Sequence, residues 1–154
     1  MSVRDNLVNS MVARVQSIEV GVDYDQAFRI VTRDPIANEH LANLKPGEAV
    51  AGVYEVGEEK TRLFNQTECN LHIVLEFYYK TKMGENKASA LNRCMAVLEK
   101  LVLSDISQGG YAINTQEVSN EIDIDGIYDK IVNGSIRLTV TYRHGFYDPN
   151  KQIC

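Results

Sequence analysis

The chain has 154 residues, enough for one domain that buries about two-thirds of its unfolded surface around a single core. A hydrophobic content of 44% and a charged content of 24% are those of an ordinary soluble globular protein. The net charge of −5 speaks against a general nucleic-acid binder, which carries a basic domain, but does not exclude a protein that surrounds DNA without gripping it, because like charge repels phosphate.

A helix opens the chain. Ser2 can cap it, with Asp5 three residues on in a relative of the capping box, and Leu7, Val8, Met11, Val15 and Ile18 recur on one face until Gly21 closes it. Ala27 to Thr32 reads as a strand ended by Asp34-Pro35, and Ile36 to Gly47 as a polar connection with the turn signal Lys45-Pro46-Gly47. A short strand from Ala49 to Val56 precedes the charged run Glu58-Glu59-Lys60-Thr61-Arg62, read as a solvated hairpin tip or mobile loop.

From Asn70 to Lys80 the pattern alternates strongly. Leu71, Ile73, Leu75, Phe77 and Tyr79 share one face, and His72, Glu76 and Lys80 the other, so this is a central strand whose apolar face lies under a helix. That helix is Glu85 to Leu103, with Ala88, Leu91, Met95, Leu98 and Val102 at three-four spacing, widened by Cys94, Val97 and Leu101. Gly109-Gly110 breaks it, and a strand around Tyr111 to Val118 leads to the acidic stretch SNEIDIDG and a connector, Ile127 to Val132. The last strand, IVNGSIRLTVTYRH, sends Ile136, Leu138, Val140 and Tyr142 one way and Arg137, Thr139, Thr141 and Arg143 the other. GFYDPNKQIC, residues 145–154, reads as an arm without a core of its own. The expectation is one α+β domain, a two-layer sandwich of a largely antiparallel sheet covered by two amphipathic helices.

No constellation for chemistry stands out. Cys69, Cys94 and Cys154 are odd in number and lack a CxxC pair, which argues for reduced thiols in a cytosolic compartment rather than disulfides or zinc. The start MSVRDNLVNS has no apolar signal core, and no window reaches the roughly 18 apolar residues of a membrane span, so the chain is expected to be made and to act in the cytoplasm unless it leaves inside an assembly. Glu121 to Gly126 has the oxygen spacing of half a calcium loop, but the position that needs a bidentate carboxylate is Val132, and alternating Asp and Ile suit a charged strand edge better. His40, His72 and His144 have no partner at ligand spacing and read as surface histidines. GxSxG, GxGxxG and GK[ST] are absent, so no nucleophile elbow or phosphate cradle is signalled. The expectation is no catalysis, no metal and no cofactor. Eight tyrosines without a tryptophan suit either packing or protein contact.

An N-terminal amphipathic helix running into AFRIVTRDP, the long strand NLHIVLEFYYK leading to a helix at ALNRCMAVLEKL, and a near-terminal strand IRLTVTYRH together span nearly the whole chain. In that order the elements resemble the tail terminator proteins of long-tailed bacteriophages and related minor tail and neck proteins. The resemblance implies an α+β sandwich assembled as a hexameric ring at the head-proximal end of the tail tube. Such a ring stops tube polymerisation, receives the head-completion or connector proteins and lets DNA pass without specific binding. It implies a virion protein made in the host cytoplasm, not an enzyme and not a membrane protein. Interfaces in a ring are heterologous. The expected contact residues lie in the long polar loops, the acidic segment and the terminal arm: Lys45, Pro46, Glu58, Glu59, Lys60, Arg62, Asp123, Asp125, Phe146 and Tyr147. Another neck protein of the same particle, a head-closure or tail-completion subunit, is the nearest alternative; a small α+β enzyme or ligand-binding domain is the distant one.

Overall fold

The computed structural model describes residues 1–21, 23–124 and 130–153. Among them, three helices and six strands follow in the order α1 (Val3–Gln16), β1 (Ile30–Thr32), α2 (Asn38–Ala42), β2 (Ala49–Leu63), β3 (Gln66–Lys80), α3 (Lys87–Leu103), β4 (Asn114–Asp123), β5 (Ile131–Gly145) and β6 (Asp148–Gln152). One curled sheet runs β1-β2-β3-β5-β4, with β6 added to the end of β5. Only the β1–β2 pair is parallel; the rest is antiparallel, and the class is α+β as expected.

The core lies between one face of the sheet and the helices α1 and α3. Cys69, Leu71, Ile73, Leu75, Phe77 and Tyr79 of β3 and Val132, Ile136, Leu138, Val140 and Tyr142 of β5 turn to that side, where they join Leu7, Met11 and Val15 of α1 and Leu91, Met95, Leu98 and Val102 of α3 in one buried cluster. Burying each such aliphatic or aromatic side chain stabilises by about 1.5–3 kcal/mol relative to exposure. Helix α1 starts as its sequence dictates: Ser2 Oγ accepts the Asp5 N–H at 3.1 Å and donates to Asp5 Oδ2 at 2.8 Å. It stops at Gln16 with Ser17 as its cap, before Gly21. Asp5 also receives Arg33 at 2.8 Å, and Arg33 reaches Glu55 at 3.1 Å, so one guanidinium ties α1 to the β1–β2 region. The Arg33 hydrogen bond first, and then the Ser2 hydroxyl, hold the Asp5 carboxyl below its usual range.

Four expectations need correction. The polar connection after β1 contains a short helix, α2, and it crosses to the other face of the sheet. There Leu41 and Leu44 cover Val50, Ile131 and Tyr78 in a second, smaller cluster. The crossing passes so close over β2 that a Cβ at Gly52 would stand 2.7 Å from the Asp34 carbonyl oxygen. Second, the charged run Glu58 to Arg62 is strand, not a hairpin tip. The ladder skips a residue between Glu55 and Gly57, and β2 then continues to Leu63, with the turn at Phe64-Asn65. Asn65 takes φ 77°, a left-handed conformation that asparagine tolerates. Third, β4 extends through most of the acidic stretch to Asp123. Fourth, the expected arm folds back as β6, pairing Gln152 with His144 and Asp148 with Gly145, and stays exposed along its length. The connector Ile127 to Asp129 and Cys154 lie outside the described residues.

Candidate functional site

The bulge in β2 decides what the charged run can do. Before it, Ala49, Ala51, Val53 and Glu55 lie on the helix side; after it, Glu58, Lys60 and Arg62 do, opposite Leu71, Cys69 and Thr67 of β3. The Glu58 side chain is consequently only 8% exposed. It accepts the Tyr142 hydroxyl at 2.8 Å and pairs with Arg4 at 3.2 Å and Lys60 at 3.3 Å. Burial first, and then the bond to Glu58, push the Tyr142 phenol upward. Glu59, one residue on, points to the other face, is 75% exposed and meets His72 at 3.1 Å.

His144, expected at the surface, is buried beside this network. Its Nε2 lies 3.1 Å from Lys60 Nζ and its Nδ1 lies 2.8 Å from the Gly145 carbonyl. An ammonium can only donate and a carbonyl can only accept, so the ring hydrogen sits on Nδ1. The arrangement holds a strand end together. Cys69 is fully buried next to Tyr142, and burial raises its thiol, as it raises Cys94 to about 12; neither has the character of a nucleophile.

The two ends of the sheet differ. At one pole the β2–β3 and β5–β6 turns stand side by side. Phe64 is 93% and Tyr147 91% exposed, Phe146 packs edge-on against Tyr147 with centroids 4.2 Å apart, and the Arg62 guanidinium lies 3.9 Å over the Phe146 ring. Free aromatic side chains of this size are costly to hydrate and typical of protein contacts. At the other pole Lys45, Lys80, Lys82 and Lys130 are gathered by backbone bonds. Gly47 N–H donates to Lys80 O, and Thr81 N–H to Lys130 O, both at 2.8 Å. Pro46 sits exposed in the adjoining turn.

The flanks are open edges. Strand β1 pairs with β2 only at Val50 to Gly52, which leaves Val53 to Leu63 without a strand partner on that side among the described residues. On the other flank β4 pairs, among the described residues, only with β5. It carries Glu117, Glu121 and Asp123 and the exposed apolar residues Val118 and Ile122. Burial first, and then the hydrogen bond and charge of Glu117, push the carboxyl of Glu99 on α3 up to about 7.

Of the ten residues expected at contacts, the structure brings Arg62, Phe146 and Tyr147 together at the aromatic pole. Lys45 and Pro46 lie at the lysine pole, and Asp123 ends β4 across from Asn133, near that pole. Glu59 and Lys60 lie on the β2 edge. Glu58 is withdrawn into the fold, and Asp125 lies outside the described residues. Glu121 to Asp123 are ladder residues opposite Ser135 to Asn133, a geometry unlike that of a calcium loop. Among the described residues, no group of three His, Cys, Asp or Glu side chains could hold a metal ion. Sequence reasoning missed Phe64 and the two open edges. Phe64 was legible as an apolar residue beside Asn65 in a turn; the edges depend on strand order, which no local pattern encodes. No protein-family model and no curated protein matches the chain.

Proposed function

We propose that the protein is a structural ring subunit at the head-proximal end of a bacteriophage tail, where it terminates tube assembly and joins the tail to the head connector. The sequence resemblance supplies the particle, and the α+β class of the fold is the one that family has. The observation that carries the reading is the combination of two open sheet edges on opposite flanks with free aromatic side chains at one pole. A subunit that meets like neighbours on both sides needs two different lateral surfaces, because its contacts are heterologous. It also needs axial surfaces for unlike partners. The pole with Phe64 and Tyr147 suits a protein partner that supplies an apolar pocket, and the lysine pole suits an acidic one.

The working copy is a homo-oligomer, a hexamer by resemblance, with the tube below and the connector above. The net charge of −5 keeps DNA free to slide through its lumen. Negative-stain microscopy of the protein mixed with tail tube protein from the same genome tests this. A six-fold ring on one end of tubes of uniform length is the expected image. Tubes that keep growing and carry no cap would reject the reading.

A further inference from the structure

We propose that the ring closes by strand pairing, residues 114–120 of β4 of one copy running antiparallel to the β2 edge beyond Gly52 of the next copy; this rests on the ring reading above. In the sheet order, β2 and β4 lie on opposite flanks and run in opposite directions. A rotation axis roughly along the strands keeps those directions, so the two edges meet antiparallel, the pattern of an ordinary ladder.

Both edges bulge, and at one level. Strand β2 skips a residue opposite Ile73 and His72, and β4 skips one opposite Leu138 and Arg137. Ile73 and Leu138 are themselves partners in the β3–β5 ladder. The extra residues are Val56 and Val118, 51% and 61% exposed. Bulges bend a strand and sharpen its twist, so an unbulged strand laid along either edge would part from it there. Two edges that bend at the same height stay in contact.

Charge selects the partner. Strand β4 carries Glu117, Glu121 and Asp123 and no basic residue, so β4 against β4 about a two-fold axis would oppose like charges. Strand β2 instead carries both signs, Glu55, Glu58 and Glu59 against Lys60 and Arg62, and Arg33 and Arg4 pair with Glu55 and Glu58 from outside the strand. A second copy's β2 is therefore the better neighbour. An exposed edge bearing Val118 and Ile122 is otherwise an aggregation hazard, and a neighbouring subunit covers it.

The test uses two single variants in a Cys154→Ser background, Val56→Cys and Val118→Cys, each with a different affinity tag. Mixed and oxidised, they should give a disulfide-linked mixed dimer, with only traces from either variant alone. Because the thiols are on separate chains, a bond within one subunit cannot mimic the result. Val118→Cys dimerising by itself would overturn the proposal in favour of symmetric β4 pairing. Association in sedimentation without the mixed bond would overturn it and leave the ring reading standing. A monomer at every concentration up to the solubility limit, with no capture on tubes, would remove both. As a second variant, Val118→Lys with Ile122→Lys should lose association while circular dichroism stays that of the parent; association at the parental level would count against the edge.

Discussion

Replacing Glu58 by alanine separates a solvated loop from a strand that turns its charge inward. The carboxylate accepts the Tyr142 hydroxyl at 2.8 Å and pairs with Arg4 and Lys60, whose side chains are about half exposed. Removing it leaves a buried phenol without its acceptor, a cost of about 1–3 kcal/mol. The two ion pairs, screened by solvent, add at most about 1 kcal/mol each. Glu58→Ala should therefore lower stability by about 2–4 kcal/mol. Glu59→Ala, one residue along on the wet face, should stay within about 0.5 kcal/mol of the parent. Tyr142→Phe alone should cost about 1 kcal/mol, and combining it with Glu58→Ala should cost less than the sum, because both remove one hydrogen bond. Equilibrium urea unfolding reads all four proteins, with a shifted midpoint at constant slope as the sign of a stability change. Equal midpoints for Glu58→Ala and Glu59→Ala would refute the inward orientation.

Three further outcomes are expected. Leu75→Ala or Leu98→Ala, both fully buried where β3 meets α3, should each lose about 2–5 kcal/mol; a loss well under 1 kcal/mol at both positions would show that this contact is not core. Gly52→Ala must displace the Asp34 carbonyl from a 2.7 Å contact and should destabilise by about 1–2 kcal/mol in thermal melts, whereas a gain in stability would mean the crossing is not held there. Glu99, whose folded carboxyl titrates at about 7 against an ordinary 4.5, binds its proton more tightly when folded, so its stabilising contribution is complete below about 4.5 and declines as pH rises to about 7. Glu117→Gln should flatten that decline in a series of unfolding curves across the window, and superimposable profiles for parent and variant would contradict the pairing.

Local pattern alone determined the two substantial helices, the central β3 and the β5 strand beside it. Their periodicities are set by which side chains must leave water, and Leu71, Ile73, Leu75 and Phe77 meet Leu91, Met95, Leu98 and Val102 as those periods require. The Ser2 cap was legible for the same reason, since Ser2 and Asp5 are three residues apart. What tertiary structure decided is everything that depends on a neighbour distant in sequence. A skipped residue at Val56 reverses the faces of β2, so a run that reads as solvent-bound turns Glu58 toward Tyr142 while leaving Glu59 outside. Gln108, beside a glycine pair that marks only a break, becomes a buried link. Its Oε1 accepts from Arg14 at 2.6 Å, and its Nε2 donates to Val102 O at 3.1 Å and Thr115 Oγ1 at 3.0 Å. His144 is buried at the end of β5, with Lys60 of β2 against its ring and β6 paired beside its backbone. The open edges, and with them any surface for a second copy, arise from strand order. That order is settled by which pairings bury the most apolar surface together, a property of the whole chain rather than of any segment of it.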